Sequence, residues 1–366
     1  MKDGWEYKKL GEVCDIYQPK TISAKELVDN GDYLVYGANG VIGRYNSYNH
    51  ENSEVLMTCR GATCGTINVS EPYSWINGNA MVIHPKDNNI TQNFLSYHLR
   101  GIDLSDVITG AAQPQITRQS LSPKMIFIPP LAEQERIVAE LDLLSSIIDK
   151  KKAQLKELDQ LAQSIFYNMF GDPITNEKGW EVKKLKEVSL EKLSYGSGAS
   201  SIPFNDDVRY IRITDINDNG ELNEDTVSPN VFDEKYLLNE GDILFARSGA
   251  TVGKTYCHKN KYGKCIYAGY LIRLIPNKEI VNPLYVFGYT KTSYYMEFVK
   301  KAQNAVAQPN INAKQYGDLQ ICIPPLPLQQ EFASKIEAIE RQKSLIQQSI
   351  VETQTLFDSR MEHWFN

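Results

Sequence analysis

The segment Arg247–Thr255 is the part of the sequence that comes nearest to a catalytic motif. A phosphate-binding loop needs a glycine, four residues, a second glycine, and then lysine with serine or threonine, so that backbone N–H groups can surround the phosphates. Gly253, Lys254 and Thr255 match the end of this pattern, but Ser248 stands where the first glycine belongs. A P-loop-like nucleotide hydrolase (NTPase) is therefore kept only as an alternative.

Other catalytic patterns are missing from the sequence. A DNA amino-methyltransferase needs a glycine-rich cofactor loop and an Asn/Asp-Pro-Pro-aromatic motif, and the chain contains neither. Its Pro-Pro pairs, at 129–130 and 324–325, follow isoleucine and precede leucine, which is typical of a strand-to-helix junction. The 5 histidines and 6 cysteines show no metal-ligand spacing. We predict no catalytic residues, no cofactor and no metal site.

Two kinds of polar segment have side chains suited to DNA contacts, and each occurs twice. Arg60–Thr63 and Arg247–Thr251 place an arginine beside small residues, and arginine can hold a phosphate or pair with guanine. Gln113–Thr117 and Gln308–Asn312 supply amides, which match the hydrogen-bonding edge of adenine. The structural alternatives are a tight turn with a solvated arginine, and a capped loop before a short helix.

A third polar segment is the amide-rich turn Tyr36–Gly40, found in the first half of the chain. With the recurring segments it completes the set of predicted DNA-binding residues: Asn39, Arg60, Gly61, Thr63, Gln113, Gln115, Arg247, Ser248, Thr251, Lys254, Gln308 and Asn310.

These segments recur because the chain repeats itself. Gly4–Val13 returns 175 residues later as Gly179–Val188, and Val55–Gly65 returns 188 residues later as Ile243–Gly253. The Gln-Pro-x-Ile and Ile-Pro-Pro-Leu segments both return after 195 residues. The growing offset indicates insertions early in the second copy. A period of this length is too long for a solenoid and predicts two copies of one domain.

A long helix is predicted after each copy, because apolar residues recur at steps of three and four. The first seam is Leu141, Leu144, Ile148, Lys151, Leu155, Leu158, Ala162, Ile165 and Met169. The second seam is Ile336, Ile339, Lys343, Ile346, Ile350, Thr353, Phe357, Arg360 and Trp364. We predict that the helices pair antiparallel through Leu141, Leu144, Ile148, Leu155, Leu158, Ile336, Ile339, Ile346 and Ile350. The alternative is that each helix packs only on its own domain.

Each copy is predicted to mix strands and helices, so the fold class is α+β. The predicted strands are Tyr33–Tyr36, Val55–Thr58, Ala80–His84, Met125–Ile128, Val208–Ile213, Ile243–Ala246, Tyr270–Ile275 and Leu319–Ile323. The predicted shorter helices are Gln92–Arg100 and Pro283–Lys300.

Length and charge set outer bounds on function. A chain of 366 residues suits two domains. The net charge of −6 does not favour a strong nucleic-acid binder, but it does not show where the charges lie. The sequence has neither a membrane-spanning apolar run nor a secretory signal, so we expect a cytoplasmic protein without membrane contact.

The paired Gly-Trp-Glu-x-Lys-Lys-Leu openings, the segment Gly241–Gly249, the Gln-Pro-x-Ile loops and the Ile-Pro-Pro-Leu junctions together resemble one family. It is the specificity (S) subunit of type I restriction–modification systems, and the resemblance covers the whole chain. The first copy departs slightly, because Cys59-Arg60-Gly61 stands where the second copy has Arg247-Ser248-Gly249.

The resemblance implies a non-catalytic, sequence-specific DNA-binding protein. Target recognition domains at 1–130 and 173–325 would each read one half of a bipartite double-stranded target. Spacer helices at 131–172 and 326–366 would form an antiparallel coiled coil that fixes half-site spacing and docks two methyltransferase (M) subunits. Restriction/translocase (R) subunits would join, and DNA methylation, cleavage and their cofactors would belong to the partners. A coiled-coil scaffold or adaptor that binds only proteins remains the other alternative.

Overall fold

The computed structural model describes residues 4–110, 113–304 and 309–366, which fold into two compact units. The first unit contains residues up to Lys151 together with Ser349–Asn366, and the second contains Lys152–Gln348. Each unit therefore takes a share of both long helices. The division into two recognition domains and two spacer helices stays a prediction, because the two compact units have different boundaries and each includes part of both helices.

The first unit is built from three small sheets and three short helices. Its strands are β1 (Glu6–Lys9), β2 (Cys14–Tyr17), β3 (Tyr33–Gly37), β4 (Gly40–Tyr45), β5 (Val55–Thr58), β6 (Ile67–Val69), β7 (Trp75–Ile76), β8 (Ala80–Pro85) and β9 (Met125–Ile128). Its short helices are α1 (Leu10–Val13), α2 (Gln92–Gly101) and α3 (Arg118–Leu121), and α4 (Leu131–Phe170) begins in this unit. The strand orders are β1-β9, β2-β8-β5-β6 and β4-β3-β7.

The second unit repeats this plan with additional strands. Its strands are β10 (Glu181–Lys184), β11 (Ser194–Tyr195), β12 (Ser201–Pro203), β13 (Val208–Ile211), β14 (Val227–Pro229), β15 (Ile243–Ala246), β16 (Thr255–Cys257), β17 (Lys264–Tyr267), β18 (Leu271–Leu274) and β19 (Gln320–Ile323). Its helices are α5 (Pro283–Tyr289), α6 (Ser293–Asn304), α7 (Ala313–Asp318) and the start of α8 (Leu326–Phe365). The strand orders are β10-β19, β11-β18-β15-β16, β12-β14 and β13-β17.

The repeat seen in the sequence is thus a repeat of topology. In each unit the first strand pairs antiparallel with the last, and the four-stranded sheet has the same order. In each of these sheets one inner strand, β5 or β15, is buried at every residue. This burial agrees with the almost entirely apolar sequences Val-Leu-Met-Thr and Ile-Leu-Phe-Ala. The extra pair β12-β14 lies between Ser201 and Pro229, where the growing offset indicated insertions.

One buried glutamine near the start of each long helix forms hydrogen bonds with the backbone of the preceding domain. The Gln134 side chain accepts a hydrogen bond from the Thr91 N–H (2.8 Å) and donates to the Asn89 and Pro129 carbonyls (2.7 and 2.9 Å). Gln329 does the same 195 residues later, with the Asn282 N–H and the Ile280 and Pro324 carbonyls. Both side chains are fully buried. We call this arrangement the glutamine clamp.

In the first unit, the start of α4 pairs antiparallel with the end of α8. The Lys151 ammonium donates to the Ser349 hydroxyl (2.6 Å) and the Thr353 hydroxyl (3.0 Å), while Glu140, earlier in α4, bonds Arg360 and Trp364, later in α8. This half of α4 also contributes to the domain core with Ile137 and Leu141, among other residues. Pairing and packing on the domain therefore occur together.

In the second unit, the other halves of the two helices pair around Lys343. Its ammonium lies 2.9 Å from an Asp159 oxygen on α4, and 3.3 Å from oxygens of Glu221 and Glu340. Burial lowers the pKa of Lys343, but these carboxylates outweigh burial and raise the pKa above its usual value. The lysine therefore stays charged inside the seam and ties the inserted loop around Glu221 to the helices.

The residues predicted for the helix interface are all at least partly withdrawn from solvent, as contact between the helices or packing on the domains requires. The buried ones are Leu141, Leu144, Ile148, Leu158, Ile336, Ile339 and Ile350, and the partly buried ones are Leu155 and Ile346. The predicted fold class is confirmed: it is α+β, with two repeated mixed α/β domains and two 40-residue helices that pair antiparallel. In the described ranges, none of the helices has the length and hydropathy needed to cross a membrane.

Two predicted elements differ from the structure. The single helix predicted for Pro283–Lys300 is wrong, because the chain breaks between α5 and α6. The Thr290 and Thr292 hydroxyls donate to the Phe287 and Tyr289 carbonyls, and such side-chain bonds compete with helical ones. The strand predicted for Val208–Ile213 ends at Ile211, because Arg212 turns to bond Asp215 at 2.6 Å.

The glutamine clamp predicts that the same substitution at two neighbouring residues will change the free energy of unfolding by very different amounts. Gln329→Leu keeps the side-chain volume but leaves the buried Pro324 carbonyl and the partly buried Asn282 N–H and Ile280 carbonyl without this partner, so we expect a loss of about 3 kcal/mol. The exposed neighbour Gln330→Leu is the control, with an expected change under about 0.5 kcal/mol. Urea denaturation followed by circular dichroism measures both. Equal midpoints for the two variants would contradict a stabilising role for the clamp.

Candidate nucleic-acid interface

In the first unit, the two recurring polar segments meet. Arg60, just after β5, forms an antiparallel bridge with Gln115. The Gly61 N–H donates to the Pro114 carbonyl at 3.0 Å, and the Ile116 N–H donates to the Cys59 carbonyl at 2.9 Å. Segments more than fifty residues apart in sequence therefore share one edge.

The amide-rich turn is held at the same end of β5. Ala38 and Asn39 form the two-residue turn between β3 and β4. The hydroxyl of Thr58, the last residue of β5, donates to the Ala38 carbonyl. Thr58 lies two residues before Arg60 in the sequence, so this bond holds the turn with the exposed Asn39 near the end of β5 that leads to Arg60. Asn39, Arg60 and Gln115 thus belong to one edge, which we call the first recognition edge.

The second unit contains the same bridge with different side chains. Ser248 bridges to Asn310, the Gly249 N–H donates to the Pro309 carbonyl (3.2 Å), and the Ile311 N–H donates to the Arg247 carbonyl (2.8 Å). The backbone pairing makes Arg247 equivalent to Cys59, and Ser248 equivalent to Arg60. The one-residue displacement of the arginine is therefore real. We call this surface the second recognition edge.

Arg247 is the cation of the second recognition edge. Its guanidinium lies 4.8 Å from the centre of the Tyr195 ring, and its Nε donates to the Asn310 Oδ1 at 3.4 Å. The equivalent Cys59 is buried, and burial raises the pKa of its thiol, so this position stays neutral in the first unit. The two edges therefore share a backbone, but each carries its arginine at a different position.

Lys254 is engaged by an acid. Its ammonium lies 2.9 Å from an Asp218 oxygen and donates to the Ile216 carbonyl at 3.4 Å. The lysine lowers the pKa of Asp218, so that carboxylate stays charged and keeps its partner. The predicted contact between Lys254 and DNA phosphate has to compete with this pair.

The remaining predicted residues take simpler positions. Thr63 and Gln113 are exposed, and the Thr251 hydroxyl donates to the Ser248 carbonyl at 3.1 Å. Gln308 lies outside the described residues. Both polar loops lead into short capped helices, because Thr117 caps α3 and Asn312 caps α7. These segments are therefore capped loops before short helices, as the structural alternative predicted, and the exposed Gln113 at the start of the first loop can still contact a ligand.

The resemblance to a phosphate-binding loop does not extend to the structure. Thr255 begins strand β16 and is buried, whereas a phosphate-binding loop leads into a helix. The Gly253 N–H donates to the Ala246 carbonyl, and the Lys254 N–H donates to the Thr251 carbonyl, so these groups do not face a ligand. A search of the described ranges finds no cluster of three potential metal-binding side chains.

Sequence reasoning missed Tyr195, Arg118 and Lys314. Tyr195 supports Arg247, while Arg118 and Lys314 are exposed cations in the first turns of α3 and α7. The two cations closely follow the Gln-Pro-x-Ile loops in the sequence, and this closeness could have identified them as candidate DNA-binding residues. The position of Tyr195, more than fifty residues from Arg247, left no such trace.

Comparison with protein families decides what kind of protein this is. The model for the type I restriction modification DNA specificity domain matches residues 2–160 and again residues 177–354. The chain belongs to this family. Both halves match separately, in agreement with the doubled topology, so the chain is a type I specificity subunit with two DNA-recognition domains.

Relatives and solved structures support the assignment along most of the chain. The MjaIX specificity subunit of Methanocaldococcus jannaschii is 24% identical over 78% of this chain and 70% of its own length. The EcoBI specificity subunit of Escherichia coli is 22% identical over 78% of this chain and 66% of its own. The S subunit of M. genitalium shares the fold, with a TM-score of 0.61 and 14% identity over 99% of this chain and 96% of its own.

The Thr58 bond predicts a defect confined to one domain. Thr58→Val removes the hydroxyl that holds the Asn39 turn and keeps the side-chain shape. Loss of one such bond costs about 1 kcal/mol, so we expect roughly fivefold faster amide hydrogen exchange in the Asn39 turn. Hydrogen exchange followed by mass spectrometry measures this. The second unit is the internal control, and an equal change in both units would contradict a local role.

Proposed function

We propose that each domain of this specificity subunit reads one half of a bipartite double-stranded DNA target. The observation that supports this most is the backbone bridge that both units build between their two polar loops. The bridge is the same, but it carries Arg60 and Gln115 in one unit and Ser248 and Asn310 in the other. A common scaffold with different side chains suits two half-sites of different sequence.

The chemistry of the two edges fits base and phosphate contacts. Arginine pairs with guanine or phosphate, and Gln and Asn amides pair with adenine. Arg118 and Lys314 add exposed positive charge at the first turns of α3 and α7. The net charge of −6 is compatible with DNA binding if partner subunits supply part of the phosphate-binding surface.

The two long helices set the half-site spacing and dock two methyltransferase subunits in this proposal. Each helix has 40 residues, a length of roughly 60 Å, which exceeds one DNA turn of about 34 Å. Besides their buried seams, the helices expose large apolar side chains, as partner-binding surfaces do. These side chains are Leu143, Leu161, Leu345, Val351 and Leu356.

The chemical steps belong to the partners in this proposal. The specificity subunit acts in the cytoplasm and is not itself an enzyme, the methyltransferase subunits modify the target, and restriction/translocase subunits join the complex. A nucleotide hydrolase is not supported, since the segment around Lys254 is a strand hairpin. The adaptor alternative is left to experiment.

The methylation pattern of genomic DNA tests the proposal directly. Cells that produce this chain with its methyltransferase partner should gain one split motif, made of two short, different half-sites around an unspecified gap. Long-read sequencing that detects modified bases measures it. Absence of a motif, with both proteins folded and associated, would support the adaptor alternative.

The docking proposal predicts different defects for exposed and buried helix residues. Leu345 is 68% exposed, so Leu345→Glu should leave the urea midpoint of the isolated chain unchanged but weaken methyltransferase binding at least about tenfold, because a charge interrupts an apolar contact. Pull-down and titration calorimetry measure binding.

Two variants complete this test. Ile350 is 8% exposed, so Ile350→Glu should destabilise the isolated chain as well. Gln347→Glu adds the same charge at an exposed polar position and should do neither. If Leu345→Glu binds the methyltransferase as well as Gln347→Glu does, this part of α8 is not a docking surface.

A further inference from the structure

Arg247 is held in one orientation from two sides. Its guanidinium carbon lies over the Tyr195 ring, 4.8 Å from the ring centre. Its Nε donates to the Asn310 side chain at 3.4 Å. Tyr195 is itself fixed, because its hydroxyl accepts a hydrogen bond from the Ala313 N–H at 3.0 Å. An arginine stacked on an aromatic face loses less freedom when it binds a ligand.

The bond at Nε leaves the two terminal nitrogens of Arg247 for a ligand. Within residues 4–110, 113–304 and 309–366, this side chain forms no ion pair with a carboxylate. Terminal guanidinium nitrogens are the donors that grip guanine through its O6 and N7 atoms, and the bidentate geometry distinguishes guanine from other bases. The same fork also binds phosphate, but only a base contact makes binding depend on sequence.

The first recognition edge has no equivalent group. The matching position is Cys59, a buried neutral thiol. Arg60, one position later, is exposed and bridges Gln115 through the backbone only. The two domains therefore differ in charge at this structurally equivalent position.

We propose that Tyr195 and Asn310 position Arg247 to recognise a guanine in the second half-site, a contact that the first half-site lacks. This inference rests on the proposed function, since it assumes that the second domain reads half of a split target. Arg247 is the specificity-determining residue, while Tyr195 is a positioning residue that acts through it.

The test compares methylation motifs made by the full methyltransferase complex with variant specificity subunits. Arg247→Ala should relax one guanine of the second half-site, with a loss of about tenfold or more in discrimination, and should leave the first half-site intact. Arg247→Lys keeps the charge but not the planar fork, so it should relax the same guanine. Tyr195→Leu should produce a weaker version of this defect. Tyr195→Phe keeps the aromatic face but loses the bond from the Ala313 N–H, so its defect should be smaller than that of Tyr195→Leu.

Arg100→Ala is the matched control, since Arg100 also lies over a tyrosine ring, that of Tyr97, at 5.7 Å, but on helix α2. It should leave the motif unchanged. An unchanged motif with Arg247→Ala, or a uniform loss on all DNA that Arg247→Lys restores, would overturn the inference, because the latter indicates a phosphate contact. A wild-type complex that gives no split motif would overturn the proposed function itself, and this inference with it.

Discussion

The start of each long helix depends on one buried amide. At the Ile-Pro-Pro-Leu junctions the chain leaves a strand and enters a helix, and the hydrogen bonds that the glutamine makes there are buried or partly buried. Gln134 and Gln329 satisfy three backbone groups each. An unsatisfied buried polar group costs more than a hydrogen bond gains, so the glutamine fixes where the helix begins against the domain. The domain and the first turns of its helix are consequently one rigid body.

Recognition is separated from this framework. The backbone bridge between the two polar loops is the same in both units, while the side chains at equivalent positions differ in charge and size, as Cys59 and Arg247 do. Main-chain hydrogen bonds do not depend on side-chain identity, so the loops keep their shape when their residues change. Residues on these loops can vary without cost to the fold, which is the arrangement expected of a recognition surface.

Most of the fold could be predicted from the apolar periodicity of the sequence and from its internal repeat. The heptad seams predicted both long helices and their pairing, and the buried runs at Val55 and Ile243 predicted the central strands. Contacts between distant residues were beyond sequence reasoning. The pair of Lys254 with Asp218 and the stacking of Arg247 on Tyr195 depend on tertiary structure and leave no local pattern.

The break between α5 and α6 shows the same limit at short range. Helical periodicity continues through Thr290 and Thr292, but buried hydroxyls end one helix and start the next. Apolar spacing reports which face is buried, whereas it does not report whether a side chain competes for the backbone bonds.

The two lysines in the helix seams have partners that the repeat does not reproduce. Lys151 faces Ser349 and Thr353, but the positions equivalent to these in α4 are Gln154 and Leu158. Lys343 faces Asp159, whose equivalent in α8 is Gln354, while Glu221 and Glu340 are supplied by its own half of the chain. A pair of identical first halves would thus lack the hydroxyl partners of Lys151, and a pair of identical second halves would lack one carboxylate beside Lys343. The seams of the two halves are complementary rather than interchangeable.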